Sequence, residues 1–79
     1  MSPTVFRAKG FRFYFLSNEE ERLHIHVKSE NGEAKYWLEP AVELAVNHGF
    51  SQKEINQALH LIQEHDHEIR SFWQEHFKR

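Results

Sequence analysis

The residues best equipped for chemistry lie in Leu23-His24-Ile25-His26-Val27-Lys28. Successive side chains of a strand point to opposite faces. His24 and His26 therefore share one face, and Leu23, Ile25 and Val27 the other. Imidazole titrates close to neutral pH, which suits acid–base work. In that role His24 is a general base toward a ribose 2′-hydroxyl and Glu39 fixes its tautomer. His26 or Lys28 protonates the leaving oxygen, and Arg12 holds the phosphate. These are the parts of a small metal-independent ribonuclease, with His24, His26 and Glu39 as the candidate catalytic set. The same imidazoles could ligate a metal, but a catalytic zinc needs three protein ligands and the spacing supplies two, with Glu39 the nearest third. His65-Asp66-His67 lacks the i,i+4 spacing that aligns ligands on a helix. No metal site and no cofactor is expected.

A second chemistry shares this face. Arg7, Arg12, Tyr14, Lys28, Lys35 and Trp37 fall beside the two histidines. Cations interleaved with aromatic rings are what single-stranded RNA binding uses, the cations meeting phosphates and the rings stacking on bases. Glu30 and Glu33 share the face near a hairpin tip. The bland alternative is a wet face of an antiparallel sheet with ordinary cross-strand pairs. The net charge is −2 with the seven histidines neutral, and protonating all seven would bring it to +5. That total is not typical of a nucleic-acid binder, so the distribution of charge decides.

The first half of the chain must supply the strands that position these groups. Phe11, Phe13 and Phe15 alternate with Arg12, Tyr14 and Leu16, and Phe6 and Ala8 alternate with Val5 and Arg7. Lys9-Gly10 is a two-residue turn candidate, and Asn31-Gly32 is the stronger hairpin signal. The acidic segment 17–22 reads as a solvated loop, and residues 33–39 as the last strand. The Lys9-Gly10 turn sets Phe6 opposite Phe13 and Arg7 opposite Arg12. A turn centred on Asn31-Gly32 sets Val27 opposite Tyr36, Ile25 opposite Leu38, His26 opposite Trp37 and His24 opposite Glu39.

The second half reads as helix. Pro40 suits a first turn, Ala41 to Val46 follow, and Asn47-His48-Gly49 stops the element. Ser51-Gln52-Lys53-Glu54 is a capping-box pattern with Phe50 as a staple before it. Ile55, Leu59, Ile62, Ile69, Trp73 and Phe77 continue at helical spacing, and Asp66 and Arg70 are spaced as an i,i+4 pair. A helix over residues 51–79 would be about 40 Å long, against about 20 Å for a six-residue strand. Either it bends within residues 63–68, or the Phe72, Trp73 and Phe77 end overhangs as an interface for a partner or a second copy.

The expected architecture is α+β: a four-stranded antiparallel meander followed by two C-terminal helices packed on one face. Residues 1–79 form a single domain, with 1–39 as sheet and 40–79 as the helical part. There are 79 residues and no cysteine, so no disulfide can staple the fold and no thiolate can hold a metal. Neither a signal-peptide-like apolar run nor a membrane span is visible. A soluble, cytoplasmic protein is expected.

Pro3-Thr4-Val5-Phe6-Arg7, Gly10-Phe11-Arg12-Phe13, Ser17-Asn18, His24-Ile25-His26-Val27, Gly32 through Pro40 and Gly49-Phe50-Ser51 together resemble domain-of-unknown-function family 4160. Leu23 stands where that family usually has proline. The resemblance implies a small prokaryotic protein, often encoded beside another small protein in a toxin–antitoxin-type pair. It brings no established mechanism. The leading expectation is such a component, binding a cognate small protein and RNA through the histidine face. The alternatives are a non-enzymatic interaction module and a small ribonuclease.

Overall fold

The structure, a computed structural model, describes residues 4–16 and 22–76. Phe77 and most of the acidic loop lie outside the described residues. The elements are β1 Thr4–Ala8, β2 Phe11–Tyr14, β3 His24–Ser29, β4 Gly32–Trp37, β5 Glu43–His48, α1 Gln52–Glu64 and α2 Asp66–His76. The strands form one antiparallel sheet in the order β1-β2-β3-β4-β5. The α+β class and the two C-terminal helices agree with expectation, but the sheet has five strands rather than four.

The added strand is the segment expected as a first helix. After a cis Glu39–Pro40 peptide, Glu43–His48 pairs along β4. Six residues are too few for a self-sustaining helix, since isolated helices below about 12–15 residues are marginal in water. The unpaired backbone of β4, by contrast, offers a full ladder of hydrogen bonds. Val42, Leu44 and Val46 also alternate with Glu43, Ala45 and Asn47, a period-two pattern suited to a strand. Both C-terminal helices come from the segment expected as one long helix.

The Lys9-Gly10 turn forms as expected, with both residues at positive φ, 52° and 84°. Phe6 faces Phe13, and Arg7 faces Arg12. The second hairpin turns on Glu30-Asn31 instead of Asn31-Gly32, which pairs Ser29 with Gly32, Val27 with Ala34, Ile25 with Tyr36 and His24 with Trp37. The slip is two residues, so every side chain keeps its expected face. The Asn31 backbone N–H donates to Ser29 Oγ at 3.1 Å. Only glycine fits at position 32 of the strand: a Cβ there would stand 2.3 Å from the His48 carbonyl oxygen.

One face of the sheet is the core. Phe13, Phe15, Ile25, Val27, Tyr36 and Leu38 lie beneath Ile55, Ala58, Leu61, Ile62 and Ile69 of the helices. The Tyr36 hydroxyl donates to the Ile55 carbonyl at 2.8 Å, tying the sheet to α1. The capping box forms: Ser51 Oγ accepts from Glu54 N–H at 3.2 Å, and Glu54 Oε1 accepts from Ser51 N–H at 2.8 Å. Phe50 is buried and meets Phe11 edge-on, with centroids 5.5 Å apart.

The helix breaks at His65, inside the polar run, which is the first of the two alternatives for this segment. His65 Nδ1 lies 2.8 Å from the Leu61 carbonyl and must carry the proton, since a carbonyl only accepts. Its ring stacks on Phe6 at 3.9 Å. The break turns α2 back over the core. Phe72 and Trp73 therefore meet Phe15, at 6.0 and 5.2 Å, rather than overhanging. Arg70 fastens α2 to the end of β4. It donates to Asp66 (2.9 Å), to Glu39 (3.0 Å) and to the Leu38 carbonyl (3.0 Å).

Candidate functional site

The face away from the helices carries side chains in cross-strand rows. One row runs Arg7, Arg12, Lys28, Glu33 and His48 from β1 to β5. The next runs Thr4, Tyr14, His26, Lys35 and Val46. A third joins His24, Trp37 and Glu43. All six residues assigned to RNA binding, Arg7, Arg12, Tyr14, Lys28, Lys35 and Trp37, thus fall on this face with His24 and His26. Arg12 Nε donates to Thr4 Oγ1 at 2.7 Å, and its guanidinium lies over the Tyr14 ring at 4.5 Å. Arg22 and Lys35 lie over the Trp37 ring, at 4.2 and 4.6 Å.

The two histidines differ sharply in exposure. His26 is half-buried and stacks on Tyr14, with centroids 5.4 Å apart. His24 is 1% exposed, although its ring sits on the same face, against His26 at 5.1 Å and Trp37 at 5.8 Å. Its Nδ1 donates to the Arg22 carbonyl at 2.7 Å, since a carbonyl only accepts. Glu39 was expected opposite His24. Trp37 takes that position, and the Glu39 carboxylate turns to Arg70 on α2. Among the described residues, no three His, Asp or Glu side chains gather as a metal site.

Three contributors were missed because β5 was read as helix or because a residue was placed in the acidic loop. Val46 and His48 extend the two rows to the sheet edge. Arg22 covers Trp37, its Nε donates to the Glu39 carbonyl at 3.0 Å, and it lies 3.8 Å from Glu43. The period-two alternation of residues 42–47 was the available signal for the first pair.

A cleft of about 260 Å³ opens on this face, lined by Tyr14, Leu16, His26, Glu33, Lys35, Val46, His48 and the backbone around Ala34. Burial raises the Tyr14 phenol above its ordinary range, with Glu33 adding to the rise and Arg12 opposing it. A larger cleft of about 410 Å³ lies elsewhere, between the hairpin tips and the start of α1, where Asn31 and Glu54 already bond each other. Among the described residues no helix is long and apolar enough to cross a membrane.

The fold is thus an antiparallel meander with one helix-covered face and one face on which cations and aromatic rings lie in rows. The chain belongs to the family described as Domain of unknown function (DUF4160), which matches residues 10–74. No curated protein and no solved structure matches it.

Proposed function

We propose that the protein is a non-catalytic component of a toxin–antitoxin-type pair, and that its open sheet face binds the backbone of single-stranded RNA. The observation that carries this reading is the row Arg7, Arg12, Lys28, three cations directly opposed across three adjacent strands. Like charges facing each other across strands are destabilising. An anionic partner relieves that repulsion, and Tyr14, His26 and Trp37 beside the row provide rings of the kind that accompany phosphate contacts in RNA-binding surfaces. The burial of His24 favours binding over cleavage, because a general base must come within hydrogen-bond reach of the hydroxyl it deprotonates.

The test is fluorescence anisotropy with labelled single-stranded RNA across a salt series. Three phosphate contacts give a slope of log affinity against log salt of about −2. Arg7→Thr/Lys28→Thr should flatten the slope by about 1.4, two contacts at roughly 0.7 each. RNA should remain intact on prolonged incubation. A salt-independent signal, or one indifferent to the double variant, would sink the reading.

A second reading concerns the cognate small protein. The large exposed hydrophobic residues of the described chain are Leu44 (41%) and Val46 (39%), both on the edge strand β5. An unprotected edge invites addition of a strand from a partner. Copurification with the neighbouring gene product, lost in Leu44→Lys, is the expected outcome. Retained copurification would place the contact elsewhere.

A further inference from the structure

Glu33 is an acid placed among cations. Lys28 faces it from β3 and His48 from β5, yet it forms no salt bridge with any described residue. Its carboxylate lines the cleft that Tyr14, His26, Lys35 and Val46 enclose. Tyr14 is only 8% exposed. Its hydroxyl has no hydrogen bond among the described residues, and no buried polar side-chain atom there lacks a partner, so the hydroxyl is accessible to solvent on a residue that lines the cleft. The site therefore presents a carboxylate, a phenol hydroxyl, a stacked pair of rings and an aliphatic wall, with cations at its margin.

We infer that this cleft seats one unstacked guanine base of a single-stranded RNA, read by Glu33. The inference rests on the RNA-binding reading above and names the base that the face selects. Guanine carries two adjacent donors on its Watson–Crick edge, N1–H and N2–H, and a carboxylate accepts both at once in a charge-assisted pair. Adenine and cytosine place an acceptor beside their amino donor, and uracil flanks its single N–H with acceptors, so none of them offers the matching pair. His48 stands opposite Glu33 on β5 and supplies a donor for guanine O6. The volume is below the roughly 300–1,000 Å³ of pockets for drug-sized ligands, which suits a single base with its sugar and phosphates outside. Those phosphates then lie toward Arg12 and Lys28, in the row beside the cleft.

The experiment uses the full chain and labelled oligouridine of about twelve nucleotides, alone or with one central G, A, C or inosine. A bidentate base contact supports discrimination of about tenfold. The wild-type protein should bind the G oligomer about tenfold more tightly than the A or C oligomers. Inosine, which keeps N1–H and lacks the 2-amino group, should fall between. Glu33→Gln should level G and A to within about twofold while leaving affinity for plain oligouridine unchanged or higher, because a negative charge has gone. Val46→Trp, an exposed edge-strand change that fills the cleft, should remove the G preference in a chain that circular dichroism shows to be folded. Equal binding of all oligomers, with Arg7→Thr/Lys28→Thr weakening every one, would overturn the guanine site and leave the RNA reading standing. A G preference that survives Glu33→Gln would also overturn it. No binding to any oligomer would overturn both.

Discussion

Tyr36 joins the two layers through one atom. Its ring is fully buried in the sheet's covered face, and its hydroxyl reaches the Ile55 carbonyl. Burial pushes the phenol up from 10.0 to about 12. The unfolded chain therefore releases this proton first as pH rises, and the folded state holds it longer. A folded value above the unfolded one means that stability is complete below pH 10 and is lost between about 10 and 12. Tyr36→Phe should remove this alkaline step and, at neutral pH, cost about 0.5–1.5 kcal/mol for the lost hydrogen bond. Urea melts at pH 7 and pH 11 check both parts. An unchanged alkaline decline in Tyr36→Phe would assign the step to other groups. His24, also fully buried, donates its Nδ1 proton to the Arg22 carbonyl, and its ring packs edge-on against those of His26 and Trp37.

At the scale of elements, the start of α1 shows how local signals become stability. Ser51 and Glu54 satisfy each other's backbone N–H groups, and Asn31 reaches from the hairpin to the same carboxylate. Bonds from the Ser51 backbone and the Asn31 amide hold the Glu54 carboxyl below its ordinary 4.5. A lowered folded value contributes stability above the unfolded value and loses it as pH falls through the folded one, so this cap weakens below about pH 4.5. Ser51→Ala should cost about 1 kcal/mol at neutral pH. Thermal melts of the variant at pH 7 and pH 3 check it, and a difference that grows toward pH 3 would contradict the sign. The capping box, the Lys9-Gly10 turn and the Asp66–Arg70 pair were legible, because each is set by neighbours in sequence, whereas the break near His65 was legible only as one of two alternatives. What was not legible depended on distant backbone. Gly32 lies in the strand rather than at the turn's centre, and it is needed there because the β5 backbone at His48 passes too close for a Cβ. Residues 43–48 became a strand because β4 offered an edge, overriding the helix-forming Ala41, Glu43, Leu44 and Ala45. The open face survived both errors, since the register slipped by an even number and β5 only extended the rows. The burial of His24 could not be read, because spacing assigns a face without saying how deep a ring sits on it.

Across the whole molecule the two faces of the sheet differ: one packs against the helices and the other carries the charged rows. Every strand but the edge strand β5 sends apolar groups to the helices, and Phe15, Phe72 and Trp73 close the end where α2 folds back. Nothing in that core needs Arg7, Arg12 and Lys28 to stand in one row. Arg7 and Lys28 are exposed and form no salt bridge with a described residue, whereas Arg12 bonds Thr4 and covers Tyr14. If the row exists for an anionic ligand, thinning it should stabilise the free protein. Arg7→Thr/Lys28→Thr relieves two cross-strand repulsions and places β-branched residues on strands, but loses the attraction of Lys28 for Glu33 opposite it, for a net gain of up to about 0.5 kcal/mol. The electrostatic share of that gain should shrink in high salt, where exposed charges are screened. Urea titrations at low and high ionic strength measure it, beside the RNA binding of the same variant. Higher stability together with weaker binding marks the row as a surface kept for a partner at the fold's expense. Lower stability at both salt concentrations would instead make these cations part of the scaffold, and the case for a ligand on this face would lose its main support.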